Sequence, residues 1–202
     1  SLLIKKNMNF YSALSNKINK KSANIGIIGL GYVGLPLALQ FSKKKFKVIG
    51  FDIDKNKVKL LKNNKSYIKH IKSHSLRYFK TNLFFTNDFR LIKNVDIIIL
   101  CLPTPLTNNL KPDLSYIKNT MKNIQKFVSN GSLIILESST YPGSTKKIIL
   151  PFLKKFNIGK NLFLGYSPER EDPNNKKYSI ENIPKICSGY SIKCLQLTKK
   201  NI

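Results

Sequence analysis

Three glycines near the start of the chain have the spacing of a phosphate-binding loop. In the segment NIGIIGLGYVGLPLALQFS, residues 24–42, Gly29, Gly31 and Gly34 follow the pattern G-x-G-x-x-G. In that pattern the first glycine permits a tight turn, the second lets the backbone approach a pyrophosphate, and the third lets a helix pack close to a strand. The N–H groups at the start of that helix then bind the phosphates. This stretch therefore predicts dinucleotide binding.

A carboxylate stands where a dinucleotide site needs one. Asp52 directly follows the apolar run of residues 46–51 and lies about 20 residues after Gly29. An acid at this place binds the ribose hydroxyls of NAD, and its charge repels the additional phosphate of NADP, so that NAD is favoured as the cofactor. The alternative is that Asp52 only caps the helix expected near residues 54–63.

Other candidate ligands of the cofactor lie on the next helix and in the loops after later strands. Lys57 is near enough to Asp52 to reach the adenosine side of a cofactor, although an ordinary exposed lysine explains it as well. The loop of residues 103–105 and the hydroxyl-rich run of residues 138–145 both follow buried strands. Because ligands bind at the carboxyl ends of strands in open α/β sheets, both loops are expected at the site.

The elements that must position these residues alternate between strands and helices. This order predicts the α/β class and a doubly wound parallel sheet, a Rossmann-type NAD-binding domain. We expect strands at residues 25–28, 46–51, 83–86, 95–102, 132–137, 161–166 and 183–187. The domain is expected to cover residues 23–187. A loosely ordered or partly helical leader, residues 1–22, precedes it, and residues 188–202 are expected to start a connecting helix that the chain end truncates.

The charge of the chain is strongly positive. Its 202 residues include 36 Lys and Arg and 10 Asp and Glu, which gives a net charge of +26 and would suit nucleic acid or an anionic surface. Yet the arginines are only Arg77, Arg90 and Arg170, and the lysines are spread through every segment. A nucleic-acid-binding face clusters its charge and uses arginine. Compositional drift toward lysine is therefore favoured over a specific nucleic-acid partner.

The rest of the composition bears on location and on metals. No apolar run approaches the roughly 20 residues of a membrane span, and the N-terminal residues lack a secretory signal. Cys101, Cys187 and Cys194 form a sparse, odd set that suits a reducing cytoplasm. His70 and His74 have a spacing that can bind a metal on a helix, but no cysteine or carboxylate completes a site nearby. We expect neither a membrane nor a metal as a partner.

Five motifs, in order along the chain, resemble those of a known family. GLGYVGLPLA, FDID, CLPTPL, ESSTYPGST and YSPERE are similar to motifs of the UDP-glucose/GDP-mannose dehydrogenase family, from about Ile25 to the C-terminus. KSYIKHI and SPEREDP look most like its UDP-N-acetylglucosamine 6-dehydrogenase branch. The resemblance implies an enzyme that oxidises the C6 alcohol of a UDP- or GDP-sugar to a uronic acid for polysaccharide biosynthesis and reduces two NAD.

The resemblance also implies roles for individual residues. In the family, the sugar passes through an aldehyde, a cysteine-bound thiohemiacetal and a thioester that water cleaves. Thr140 and Glu169 match residues that position or activate this water, although a loop acid paired with Arg170 or a lysine also explains Glu169. The matched cofactor-contacting positions are Gly29, Tyr32, Val33, Asp52, Lys57, Thr104 and Thr140, and the glycine pattern adds Gly31 and Gly34.

The sequence departs from the family pattern in two ways. Pro173 stands where family members carry a second acid, and Glu171 is the candidate substitute. The sequence also ends before the family's catalytic lysine, its cysteine nucleophile and most of the sugar-binding half. Neither Cys187 nor Cys194 has the Gly-rich context of that nucleophile. This chain alone is therefore expected to be inactive, and the resemblance implies homo-oligomers for full-length relatives.

Three functions are consistent with the sequence. The leading one is the NAD-binding portion of a nucleotide-sugar 6-dehydrogenase whose substrate is UDP-N-acetylglucosamine or a related nucleotide sugar. The second is a nucleotide-binding remnant that keeps the fold without the chemistry. The third is a basic nucleic-acid binder, which the charge alone supports.

Overall fold

Strands and helices alternate in the computed structural model, which describes residues 9–78, 81–140, 143–168 and 186–200. The strands are β1 (Asn24–Ile28), β2 (Lys47–Phe51), β3 (Leu83–Thr86), β4 (Ile97–Leu100), β5 (Leu133–Glu137), β6 (Phe163–Ser167) and β7 (Ser188–Gly189). The α-helices are α1 (Phe10–Asn19), α2 (Gly34–Lys43), α3 (Lys55–Lys62), α4 (Ser73–Arg77), α5 (Ser115–Ile124) and α6 (Ile192–Lys199). Shorter 3-10 helices span Phe89–Asn94 and Leu150–Leu153.

These strands form one sheet in the order β3-β2-β1-β4-β5-β6-β7. Strands β1 to β6 run parallel, and the strand order reverses direction between β1 and β4, which is where open α/β sheets bind ligands. The predicted doubly wound parallel sheet is confirmed, with one difference: β7 pairs antiparallel to β6. Of the strand expected at residues 183–187, the first three residues lie outside the described ranges. The observed strand is Ser188–Gly189.

Apolar side chains cover both faces of the sheet, which explains why its strands are apolar almost throughout. In β4, Ile97 and Ile99 pack into the core on one face, together with residues of α1, α2, α3 and α6. Ile98 and Leu100 point to the other face, where α5 covers them. Every side chain of this strand is buried. The two packed faces fix the register of the strands and hence the position of the loops at their carboxyl ends.

The N-terminal segment contains a helix. Part of the leader expected to be loosely ordered or partly helical, Phe10–Asn19, forms α1. Leu14 of this helix is buried in the core, and the Tyr11 hydroxyl donates to Gln196 of α6 over 2.7 Å. Of the two forms expected for this leader, the helical one is observed for residues 10–19, because the apolar side chains of this helix pack into the core beside the sheet.

The segment after β5 is helical but irregular. The structure has a π-helix, Thr145–Ile149, followed directly by the 3-10 helix Leu150–Leu153, which contains Pro151. Proline lacks the N–H group that a continuing helix needs, so the hydrogen-bond pattern changes at this point. Ile148 and Ile149 still bury their side chains against the sheet.

Candidate functional site

A cleft of about 810 Å³ opens at the carboxyl ends of the central strands. Its walls come from the loops after β1, β2, β4 and β5 and from one side of α5. Most of the residues that the sequence predicts at a cofactor site line it together: Gly29, Gly31, Tyr32, Val33, Asp52, Lys57 and Thr104. Its volume lies within the range of about 300–1,000 Å³ that is usual for small-molecule sites.

The three glycines of the loop differ in what a side chain would meet. Gly29 has φ +93°, and a Cβ there would lie 2.3 Å from the carbonyl oxygen of Cys101. A Cβ on Gly34 would lie 1.8 Å from the carbonyl oxygen of Gly29. Both glycines are therefore required by the fold itself, for the turn and for the close approach of α2. A Cβ on Gly31 meets nothing within 4 Å, so the space beside this residue is open to a ligand.

The loop also offers hydrogen-bond donors. The N–H groups of Gly31, Tyr32 and Val33 donate to no acceptor in the part of the chain that the structure describes. Helix α2 starts at Gly34, and no side chain caps its N-terminus. Unpaired N–H groups and the positive end of a helix dipole together favour an anion such as a phosphate.

Asp52 borders the cleft and holds the loop. Its side chain is 7% exposed; one carboxylate oxygen accepts from the N–H of Leu30 and the other from the N–H of Asp54, both at 2.9 Å. A carboxylate has about four acceptor positions, so about two remain for a ligand. The cap of α3 is Asp54, which accepts from the N–H groups of Asn56 and Lys57. The alternative role of Asp52 as the helix cap is therefore wrong.

Tyr67 lies beside the loop, and its segment, KSYIKHI, gave it no predicted role at the site. Its hydroxyl donates to the carbonyl oxygen of Leu30, and the ammonium group of Lys57 lies 5.7 Å from the centre of its ring. Burial raises the pKa of Tyr67 above its usual value of 10.0, and the nearby carboxylates of Asp52 and Asp54 raise it further. The hydroxyl therefore stays protonated at neutral pH and remains a donor.

Helix α5 forms another wall of the cleft that Lys57 lines. Its apolar residues Ile117, Met121 and Ile124 are buried in the core. A neighbouring polar face lines the cleft with Tyr116, Asn119, Thr120 and Asn123. The sequence of this helix gives no sign that its polar face borders the cleft. Ile53, whose side chain is 73% exposed, and Phe89, which stacks on Phe51 with ring centres 5.7 Å apart, add apolar surface to the same cleft.

The other end of the cleft lies at the loops after β4 and β5. The Thr104 hydroxyl donates to the carbonyl oxygen of Ser139 over 2.8 Å and joins these loops. Ser138, which also lines the cleft, has a buried hydroxyl without a hydrogen-bond partner among the described residues. An unsatisfied buried polar atom is costly, so a polar ligand group at this end fits the residues present.

Thr140 lines a different cavity. The cavity of about 660 Å³ that contains Thr140 also borders Ser144, Tyr166 and Tyr190. The Thr140 and Ser144 hydroxyl oxygens are 2.6 Å apart, and the Tyr166 hydroxyl lies 3.2 Å from the Thr140 carbonyl oxygen. Ser139 is the last residue of this loop that lines the first cleft. Thr140, the next residue, lines the second cavity instead. Its predicted cofactor contact and its catalytic role stay predictions.

The remaining residues that the sequence singled out are acids of a later loop, the three cysteines and the two histidines. Glu169, Arg170, Glu171 and Pro173 lie outside the described residues. Cys101 and Cys194 are buried, and Cys187 is partly exposed. His70 and His74 are exposed. Within the described ranges, no group of three or more His, Cys, Asp or Glu residues could hold a metal ion, and no helix there is both long and apolar enough to cross a membrane.

Known proteins are similar to this chain in sequence. Residues 23–200 match the model of the UDP-glucose/GDP-mannose dehydrogenase family, NAD binding domain. Protein CapL of Staphylococcus aureus is 38% identical over 177 residues, which are 86% of this chain and 41% of the relative. The UDP-N-acetyl-D-glucosamine 6-dehydrogenase of Pseudomonas aeruginosa is 34% identical over 172 residues, 84% of this chain and 40% of the relative.

A solved structure supports the fold. The crystal structure of NDP-N-acetyl-D-galactosaminuronic acid dehydrogenase from Methanosarcina mazei Go1 matches with a TM-score of 0.80 at 24% identity, over 96% of this chain and 44% of that chain. In each of these comparisons the sequence aligns with less than half of the other protein. The chain spans 41% and 40% of the length of the two curated relatives.

Proposed function

Since this chain belongs to the UDP-glucose/GDP-mannose dehydrogenase family and contains its NAD-binding domain, we propose that it binds NAD in the cleft beside the glycine loop. We further propose that it serves a nucleotide-sugar 6-dehydrogenase, which converts the C6 alcohol of UDP-N-acetylglucosamine or a related UDP- or GDP-sugar to a uronic acid for polysaccharide biosynthesis. One observation carries the cofactor proposal: successive N–H groups without acceptors border open space at Gly31, next to the Asp52 carboxylate.

The pyrophosphate of NAD occupies the space beside Gly31. There the N–H groups of Gly31, Tyr32 and Val33 donate to its oxygens, and the N-terminus of α2 adds a favourable potential. The remaining acceptor positions of Asp52 bind the adjacent ribose hydroxyls. Lys57, which lines the same part of the cleft, balances the negative charge of the phosphates. In this proposal the dinucleotide would cross the switch point between β1 and β4.

The adenine base lies between α5 and the residues that follow β2. Ile53 and Phe89 offer apolar surface to its ring, and the amides of Asn119 and Asn123 offer donors and acceptors to its edge. An amide pairs well with the amino group and ring nitrogen of adenine, as in the recognition of adenine in nucleic acids. The polar face of α5 therefore makes the site selective for adenine.

The nicotinamide end lies toward the loops after β4 and β5. When bound, NAD supplies the hydride acceptor for the oxidation of an alcohol. The chain's own residues orient that group: the Thr104 hydroxyl fixes the distance between the two loops, and the unpaired Ser138 hydroxyl offers a hydrogen bond. Thr140 borders the adjacent cavity, which we propose for the sugar and for the water-positioning role of Thr140; the same role is proposed for Glu169 from the family resemblance alone.

The substrate class rests on the relatives. Relatives named as UDP-N-acetyl-D-glucosamine 6-dehydrogenases are 34% and 35% identical to this chain, and a UDP-N-acetyl-D-mannosamine dehydrogenase of Methanococcus aeolicus is 34% identical. A UDP-N-acetylhexosamine is therefore favoured over a GDP-sugar. A free nucleotide sugar as substrate agrees with a cytoplasmic location, and we propose a homo-oligomer for the complete enzyme.

The cofactor proposal is tested by replacing Gly31. The Gly31→Ala variant adds a methyl group where no atom lies within 4 Å, so the fold is expected to tolerate it. The same methyl group occupies the space where a pyrophosphate would approach the backbone. We expect calorimetric titration of NAD to show binding by the wild type and an affinity reduced at least about tenfold in the variant, about 1.4 kcal/mol.

Gly34→Ala is the matched contrast. Its methyl group would lie 1.8 Å from the Gly29 carbonyl oxygen, so it should lower the thermal unfolding midpoint, whereas Gly31→Ala should leave that midpoint nearly unchanged. Wild-type affinity for NAD in a folded Gly31→Ala variant would show that the pyrophosphate does not bind at this loop.

A further inference from the structure

The peptide group between Leu30 and Gly31 is oriented by a side chain from outside the glycine loop. The N–H of Leu30 donates to Asp52 over 2.9 Å, and the carbonyl oxygen of Leu30 accepts from the Tyr67 hydroxyl. Leu30 is thus held through both of its backbone polar groups. Glycines on each side of it allow many other backbone conformations, so these two bonds select one of them.

Planarity of the peptide bond links the Tyr67 contact to the phosphate donors. In a trans peptide the C=O and the following N–H point in opposite directions. The carbonyl of Leu30 and the N–H of Gly31 belong to the same peptide plane. When Tyr67 holds the carbonyl on its side, the N–H of Gly31 is directed away from Tyr67. Among the described residues that N–H has no acceptor, and Gly31 borders the open space of the cleft.

Tyr67 sits on a segment that is itself anchored. Its neighbour Ile68 is 2% exposed, and Ile71 is buried as well. The Ser66 N–H donates to the Ser73 hydroxyl over 3.0 Å, which closes the connection between α3 and α4. The ring of Tyr67 packs against the core, and the ammonium group of Lys57 lies over it. A hydroxyl held in this way gives the glycine loop a fixed hydrogen-bond partner.

We propose that Tyr67 is a positioning residue for the dinucleotide, whose hydrogen bond to Leu30 orients the N–H of Gly31 toward the pyrophosphate. This inference rests on the proposed binding of NAD. It adds the connection between α3 and α4 to the cofactor site, although this connection is not part of the glycine motif. Loss of the hydroxyl frees the Leu30–Gly31 peptide to rotate, and the ordering cost then falls on ligand binding.

The test is the Tyr67→Phe variant, which removes only the hydroxyl. Titration by calorimetry should show the affinity for NAD and for ADP, which both carry a pyrophosphate, reduced by about five- to tenfold, the usual worth of one hydrogen bond. Adenosine, which lacks phosphates, should lose less than about twofold, as measured by NMR titration. Tyr11→Phe is the matched control, because its hydroxyl bonds to Gln196 away from the cleft, and it should bind all three ligands as the wild type does.

The possible results distinguish the positioning role of Tyr67 from the proposed binding of NAD. Equal losses for adenosine and ADP in Tyr67→Phe would overturn the positioning role, because a general disturbance of the fold would then explain them. Unchanged affinity for ADP and NAD would overturn it as well. A wild type that binds neither NAD nor ADP would overturn the proposed cofactor site together with this inference. The amide NMR signal of Gly31 gives a second readout: ADP should shift it in the wild type and shift it less in Tyr67→Phe.

Discussion

The Asp52 carboxylate accepts the N–H of Leu30 over 2.9 Å, so the acid at the end of β2 holds the turn of the glycine loop that follows β1. The Asp52 carboxylate therefore holds the loop and also borders the ligand cleft. Its other oxygen accepts from the N–H of Asp54, the cap of α3. A substitution at Asp52 consequently affects the loop and the ligand together, and only the choice of ligand separates the two effects.

Asp52→Asn should change the preference for the cofactor more than the affinity for it. The amide keeps one acceptor oxygen, so the bond to Leu30 can persist, but the charge that repels the phosphate of NADP is lost. We expect the wild type to bind NAD at least about tenfold more tightly than NADP, about 1.4 kcal/mol, and the variant to lose most of this preference. Calorimetric titration with both dinucleotides measures it.

Asp96→Asn is the matched control for this experiment. Asp96 accepts from Lys17 over 2.7 Å and from the N–H of Asn24 over 2.8 Å, at the amino ends of the strands and far from the cleft. Its variant removes the same charge and should keep the wild-type preference for NAD. A wild type that binds NAD and NADP equally well would contradict the role of Asp52.

The glycine loop and Asp52 could be predicted because their signal is local. Residues 24–52 encode the tight turn, the end of the strand and the start of the helix. The alternation of strands and helices along the chain predicts the parallel sheet. Tyr67 and the polar face of α5 could not be predicted in this way. Their roles depend on which elements the sheet brings together. Tyr67 lies in KSYIKHI, a segment that carries the resemblance to one branch of the family, but that resemblance implied no role for this residue.

The helix α1 and the position of Thr140 also depend on contacts that the local sequence does not encode. The order of α1 comes from its contact with the core and with Gln196 of α6, residues that are distant in sequence. The position of Thr140 depends on the path of the chain after Ser139, where one loop borders two cavities. The resemblance to the family assigned Thr140 a role but gave no means of dividing that loop between the cavities.

The α5 amides predict selectivity for the base. Nicotinamide hypoxanthine dinucleotide replaces the amino group of adenine by an oxygen, so an amide that pairs with adenine is left with a mismatched partner. We expect the wild type to bind this analogue about three- to tenfold more weakly than NAD. The Asn119→Leu/Asn123→Leu double variant should lose this difference, whereas Lys118→Leu on an exposed part of the same helix should keep it. Competition titration with both dinucleotides decides; equal wild-type affinities would contradict the α5 contact.

Tyr67 should make the folded protein more sensitive to alkaline pH. Burial and the carboxylates of Asp52 and Asp54 raise the pKa of Tyr67 above 10.0 in the folded protein. The unfolded chain therefore releases this proton first as the pH rises through 10, and stability that is complete below pH 10 falls above it. Tyr67→Phe should lose less stability than the wild type between pH 9 and pH 11, as measured by urea unfolding. If the free energy of unfolding changes with pH in the same way for the wild type and Tyr67→Phe, the pKa of Tyr67 is not raised in the folded protein.

The excess of lysine predicts only weak binding of nucleic acid. If the lysines have no common ligand, contacts to DNA are electrostatic and indifferent to sequence, with dissociation constants of about 10⁻⁴–10⁻⁶ M at physiological salt. Fluorescence anisotropy with duplexes of unrelated sequence should show equal affinities that disappear as salt is raised. Tight binding of one sequence at physiological salt would instead identify the charge as a functional surface.

The last prediction is that the chain of residues 1–202 does not turn over UDP-N-acetylglucosamine with NAD. Oxidation of an alcohol to an acid removes four electrons, and in the mechanism that the family resemblance implies a thiolate retains the aldehyde between the two hydride transfers. Cys101 and Cys194 are buried, and the Cys194 sulfur already accepts from the N–H of Leu164 over 3.4 Å. Cys187 is partly exposed but lacks the Gly-rich context of the nucleophile that the family resemblance implies. NADH absorbance should therefore stay flat with this chain, whatever the outcome of the NAD titrations. Sustained NADH production that is lost in Cys187→Ser would show that this cysteine is the nucleophile after all. Production that persists in a variant without cysteines would instead refute the covalent mechanism for this protein.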